Sequence, residues 1–70
     1  MTTINITNKK TDVRFDNKGL TLIAYDNEYT LYIDYYGETT YGYSYKELCT
    51  AKRLSTINKY AAEYGYEFVK

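Results

Sequence analysis

Hydrophobic and polar positions alternate through most of the first two thirds of the chain, the pattern of β-strands with one buried face. Ile4 and Ile6 mark a short first strand, and Asn8-Lys9-Lys10-Thr11-Asp12 reads as a turn. Val13 and Phe15 alternate with Arg14 and Asp16 in a second strand that ends at Asp16-Asn17-Lys18-Gly19. A four-residue loop there puts Val13 and Phe15 on the core face, and a three-residue loop with a glycine bulge puts them beside Tyr25. The core placement is preferred.

The next three strands can be set in register. A two-residue turn at Asn27-Glu28 opposes Ala24 to Leu31, Leu22 to Ile33 and Leu20 to Tyr35. A second such turn at Tyr36-Gly37 opposes Ile33 to Thr40 and Tyr32 to Tyr41. Side chains alternate faces along a strand, so these choices sort every residue. Leu20, Leu22, Ala24, Tyr29, Leu31, Ile33 and Tyr35 share one face, aliphatic enough to be a core. Thr21, Ile23, Tyr25, Thr30, Tyr32, Asp34, Thr39, Tyr41 and Tyr43 share the other. Slipping one strand by a single residue would mix the two sets.

Helical spacing takes over afterwards. Ser44-Tyr45-Lys46-Glu47 fits a capping box and predicts a helix start. Leu54, Ile57, Ala61 and Tyr64 form a stripe able to cover the aliphatic sheet face. Leu48 lies off that stripe, which predicts a bend or break near Leu54-Ser55. Gly65 suits the left-handed position that ends a helix, and Tyr66-Glu67-Phe68-Val69 alternates as a last strand. The expected fold is α+β, a small antiparallel sheet in the order β-β-β-β-β-α-β with one helix packed on one face. Residues 1–70 form a single compact domain. A chain this short buries only ~60% of its unfolded surface.

Composition excludes several chemistries. The chain has one cysteine and no histidine, so an internal disulfide and a Cys/His zinc site are both impossible. No Gly-rich phosphate loop or metal-ligand spacing is present, and no histidine serves as a general base near neutral pH. A non-enzymatic protein without a cofactor is expected. On a helix, Cys49 would share a face with Lys46 and Arg53, which allows a reactive thiol, although a lone helical cysteine is more often a packing residue. No apolar run approaches the ~18 residues of a membrane span. Met1-Thr2-Thr3-Ile4-Asn5 has no targeting pattern, so a cytoplasmic location is expected.

Eleven of the 70 residues are tyrosine, and seven of these lie between Tyr29 and Tyr45. Tyrosine is amphipathic and enriched at recognition surfaces. From Gly19 to Tyr45 there is no lysine or arginine, whereas Asp26, Glu28, Asp34 and Glu38 fall there. An exposed aromatic sheet face suggests base stacking, but nucleic-acid affinity needs lysine and arginine to neutralise phosphates. A protein partner with a basic surface fits better. Carboxylates would take the place of phosphates and tyrosines would supply anchors. The expected partner-binding set is Tyr25, Asp26, Glu28, Tyr32, Asp34, Glu38, Tyr41 and Tyr43. The bland alternative is that cross-strand tyrosine and threonine pairs only stabilise the sheet. Two functional alternatives are a nucleic-acid binder using the tyrosine face or the basic helix residues Lys46, Lys52, Arg53 and Lys59, and a homodimer that buries the tyrosine face.

In size, in lack of catalytic groups and in this acidic aromatic sheet (Tyr25, Asp26, Glu28, Tyr32, Asp34, Tyr41, Tyr43), the chain resembles the small inhibitors encoded by phages and mobile elements, anti-CRISPR proteins among them. The resemblance is one of general character, without a family motif. It implies an inhibitor in a host bacterial cell that occupies the basic nucleic-acid-binding surface of a CRISPR effector or another defence nuclease.

Overall fold

A computed structural model describes residues 1–7, 9–16, 18–36 and 43–70, with the backbone alone for residues 35, 36, 43 and 44. The elements follow in the order β1 (Thr2–Asn5), β2 (Lys10–Phe15), β3 (Lys18–Tyr25), β4 (Glu28–Tyr36), β5 (Tyr43–Ala51), α1 (Leu54–Ala61), a 3-10 turn (Ala62–Tyr64) and β6 (Tyr66–Val69). The class and element order match the sequence expectation. The strands divide into two sheets, a four-stranded antiparallel sheet β2-β3-β4-β5 and a two-stranded parallel pair β1-β6.

The β3–β4 hairpin turns at Asp26 and Asn27, not at Asn27-Glu28, so Leu22 opposes Leu31 and Leu20 opposes Ile33. Both turn residues have positive φ, 47° and 64°. Asp and Asn enter the left-handed region far more readily than Glu, which selects this pair for a twist-matched two-residue turn. The pairing differs from expectation by an even number of residues, so the described side chains of β3 and β4 stay on their expected faces; the side chains of Tyr35, Thr39, Tyr41 and Tyr43 lie outside the described residues. Leu20, Leu22, Tyr29, Leu31 and Ile33 are buried, as expected. Val13 opposes Leu20, and Phe15 opposes Lys18 directly, a tighter connection than a four-residue loop. Both residues pack against the core.

The segment from Ser44 onward departs most from expectation. Ser44-Tyr45-Lys46-Glu47 does not cap a helix; it lies in β5, which pairs with β4 along its length. Tyr36, expected in a two-residue turn with Gly37, pairs with Tyr43, and Tyr32 pairs with Glu47 in place of Tyr41. The physical reason is tertiary. β4 is paired with β3 on one side, and its remaining backbone groups need partners on the other. A capping box is a local preference, outweighed by a full ladder with its cross-strand contacts. One irregularity interrupts that ladder: Tyr32 faces Glu47 while Leu31 faces Cys49, so Leu48 is an extra residue. Such a bulge reverses the alternation. Before it, Tyr45 and Glu47 oppose Asp34 and Tyr32 on the outer face. After it, Cys49 and Ala51 oppose Leu31 and Tyr29 on the core face.

The helix starts at Leu54 after an extended Arg53 whose side chain makes no capping bond. The expected stripe is realised: Ile57 and Ala61 are fully buried, and Leu54 and Tyr64 pack against the same cluster. Gly65 has φ 83°, the expected left-handed position, and its N–H donates to the Ala62 carbonyl at 3.0 Å. The chain then enters β6, where Phe68 is fully buried beside Ile57 and Ala61 in the core cluster. Rings of Tyr64 and Tyr66 meet Phe15 at 5.7 and 5.3 Å, tying β6 and the turn before it to β2.

β6 has β1 on one edge. On α1, the Asn58 carboxamide supplies backbone-like partners to β6: it donates from Nδ2 to the Phe68 carbonyl at 2.9 Å and accepts the Phe68 N–H on Oδ1 at 2.8 Å. One side chain thus takes the place of a neighbouring strand for the most buried residue of β6. A net stability of ~3–5 kcal/mol is ordinary for a domain of this size. Replacing Asn58 by Ala should cost about 1–3 kcal/mol, because both Phe68 groups lose their partners, and urea unfolding monitored by circular dichroism will show it. Nothing lies within 4 Å of a Cβ added at Gly65, so Gly65→Ala should cost only the backbone strain of ~1–2 kcal/mol, with Gly65→Asn costing less in the same assay.

Candidate functional site

The outer face of the four-stranded sheet is set by register. Its rows run Asp12–Thr21–Tyr32–Glu47, Arg14–Gly19–Asp34–Tyr45 and Lys10–Ile23–Thr30–Thr50, with Tyr25 opposite Glu28 at the hairpin end. α1 and β6 contribute their buried residues to the core cluster on the opposite face.

Near the middle of the outer face lies a shallow trough of about 280 Å³, lined by Lys10, Thr21, Ile23, Tyr32, Asp34 and Tyr45. Tyr32 and Tyr45 meet edge to face, with ring centroids 5.9 Å apart and planes at 81°. This geometry suits the ring quadrupoles and is worth about 0.5–1.5 kcal/mol beyond burial. Thr21, only 8% exposed, donates its hydroxyl to Asp34 Oδ2 at 3.1 Å. That bond fixes the carboxylate beside the tyrosine pair. A Thr50 to Thr30 hydroxyl bond at 3.3 Å links β5 to β4 further along. Tyr25 and Tyr45 are the two most exposed of the described tyrosines, at 67% and 65%.

The expected site residues separate into groups. Tyr32 and Asp34 stand together in the trough. Tyr25, Asp26 and Glu28 sit at the tip of the β3–β4 hairpin, bordering a different and larger recess. Glu38 and Tyr41 lie outside the described residues, and of Tyr43 only the backbone pairing with Tyr36 is described. The sequence reading missed Tyr45 and Glu47 because it assigned them to a helix. The signal was present in the unbroken alternation Tyr41, Tyr43, Tyr45, Glu47. Cys49 is not on a helix with Lys46 and Arg53. It opposes Leu31 on the core side of β5 and packs against the core.

Charge on this face is more mixed than the Gly19–Tyr45 segment alone implies, because β2 brings Lys10 and Arg14 beside it. Lys10 makes an ion pair with its strand neighbour Asp12 at 3.6 Å, both side chains more than half exposed. Exposed pairs of this kind add little stability. They do neutralise each other locally, and among the described residues the face also carries Arg14, Glu28, Asp34 and Glu47. The β4–β5 half of the face is therefore its acidic, aromatic half.

No protein-family model, curated protein or solved structure matches the chain. Among the described residues no helix is long and apolar enough to cross a membrane.

A double-mutant cycle at Tyr32 and Tyr45 separates a sheet-stabilising pair from two independent rings. Single changes to Ala and their combination, followed by urea unfolding, should return a coupling of about 0.5–1 kcal/mol. Additive effects would show that the two rings do not support each other.

Proposed function

We propose that the protein is a non-enzymatic binding module whose outer sheet face, centred on Tyr32, Asp34, Tyr45 and Glu47, engages a basic surface on a protein partner. The observation that carries this reading is the pairing of Tyr32 with Tyr45 beside a carboxylate held by Thr21. Large rigid rings supply contact area at low entropic cost, and adjacent carboxylates steer a cationic partner and fix its register. A groove lined by lysine and arginine, such as a nucleic-acid-handling enzyme presents to a phosphate backbone, has the complementary chemistry. On this reading the protein blocks such a groove, in the manner of a phage-encoded inhibitor of a bacterial defence nuclease.

The test compares capture from a bacterial lysate by the unmodified protein, by Tyr45→Ala combined with Glu47→Lys, and by the helix variant Lys59→Gln. All three are first shown to melt alike. The double variant should lose at least about tenfold of its capture, Lys59→Gln should keep it, and added duplex DNA should compete with the captured protein. Capture indifferent to the double variant overturns the reading. Lys10 and Arg14 on the same face favour direct nucleic-acid binding as the second reading, and its signature is an oligonucleotide gel shift by the protein alone that weakens steeply with salt. A doubled mass in light scattering that Tyr45→Ala abolishes would point instead to a homodimer through this face.

A further inference from the structure

Lys9, Lys52 and Lys70 come from three separate parts of the chain: the segment between β1 and β2, the segment between β5 and α1, and the residue after β6. The fold gathers them around one recess of about 770 Å³ beside the tip of the β3–β4 hairpin. That volume is within the ~300–1,000 Å³ range of small-molecule sites. Among the described residues none of these three ammonium groups has a carboxylate partner at ion-pair distance. Asp26 and Glu28 line the same recess without reaching ion-pair distance of these lysines, so cations outnumber carboxylates in its lining, and an anion placed among the three ammonium groups relieves their mutual repulsion.

The recess is not uniformly polar. Tyr29, 8% exposed, lines it together with Ala24 and Ile6, and the Lys70 ammonium stands 5.8 Å from the Tyr29 ring centroid. Asp26 and Glu28 on the hairpin tip complete the lining and offer acceptors. The three cations are all lysines, compact point charges with several donors each. That suits a phosphate, whereas planar carboxylate recognition favours the arginine fork. Apolar lining and carboxylate acceptors suit an organic body carrying N–H or O–H groups. We propose that this recess binds a small phosphorylated organic molecule, its phosphate among Lys9, Lys52 and Lys70, its body against Tyr29 and its donors toward Asp26 and Glu28. The site is separate from the Tyr32–Tyr45 trough and does not depend on the function assigned to that face.

Amide NMR titration of the full chain with ADP and with pyrophosphate tests the proposal at low salt. ADP should shift the resonances of Lys9, Tyr29, Lys52 and Lys70, and bind at least about threefold more tightly than pyrophosphate, which lacks the organic body. Lys52→Gln with Lys70→Gln replaces two exposed side chains and should weaken ADP about tenfold, while Tyr45→Ala should leave it unchanged. Shifts spread equally to Lys46 and Lys59, or unaltered in the double lysine variant, would mean a diffuse ion atmosphere and overturn the site. Equal affinity for ADP and pyrophosphate would overturn the organic-ligand assignment.

Discussion

β4 carries the constraint on which the rest of the molecule depends. It is paired on both edges, with β3 and with β5, so its backbone is fully committed and its side chains are free only to choose a face. Leu31 and Ile33 go inward and are fully buried, while Tyr32 and Asp34 go outward. With that alternation fixed, Leu20 and Leu22 must join the core, the helix must bring Ile57 and Ala61 to meet them, and Thr21 must stand beside Asp34. The trough and the core are two sides of the same strand, made by the same periodicity.

A chain of this length has little apolar area to spend on such an arrangement. Its core reaches completion by recruiting Phe68 from a strand outside the main sheet. That recruitment exposes a general difficulty of short strands, whose backbone groups are buried before a ladder is available on both edges. β1 satisfies one edge of β6, and a single carboxamide on α1 satisfies the Phe68 peptide on the other. Sheet and helix are linked by hydrogen bonds of specific geometry as well as by apolar contact.

Much of this was legible in the residues. The inward set on β3 and β4, the helical stripe ending at Tyr64, the left-handed Gly65 and the last strand all follow from periodicities of two and 3.6 and from one glycine. An even error in the hairpin register did no harm, because parity alone decides the face. Residues Ser44 to Ala51 carry two competing signals, the alternation that runs through Tyr45 and Glu47 and the start of a helix. Ser and Glu at capping spacing, with good helix formers after them, agree with a helix as a continuation of α1. What decides otherwise is the demand of β4 for a second partner, a nonlocal quantity that no window of sequence contains. The same error concealed Tyr45 and Glu47 and left the candidate face incomplete. The convergence of Lys9, Lys52 and Lys70 was equally invisible, since residues so far apart in the chain meet only once the fold is known.

The extra residue in β5 has a consequence for how this sequence can change over time. On an uninterrupted strand, Tyr45, Glu47, Cys49 and Ala51 would share one side and answer to one selective pressure. With Leu48 inserted, the first two look out to solvent and the last two look into the interior. Drift upstream of Leu48 alters what the molecule meets, and drift downstream alters whether it holds together. An outward face and a structural wall can thus be tuned separately within nine consecutive residues, provided that the spacing between them is kept. Deletion of Leu48 is the change the strand cannot absorb, because it would put all four side chains on one side.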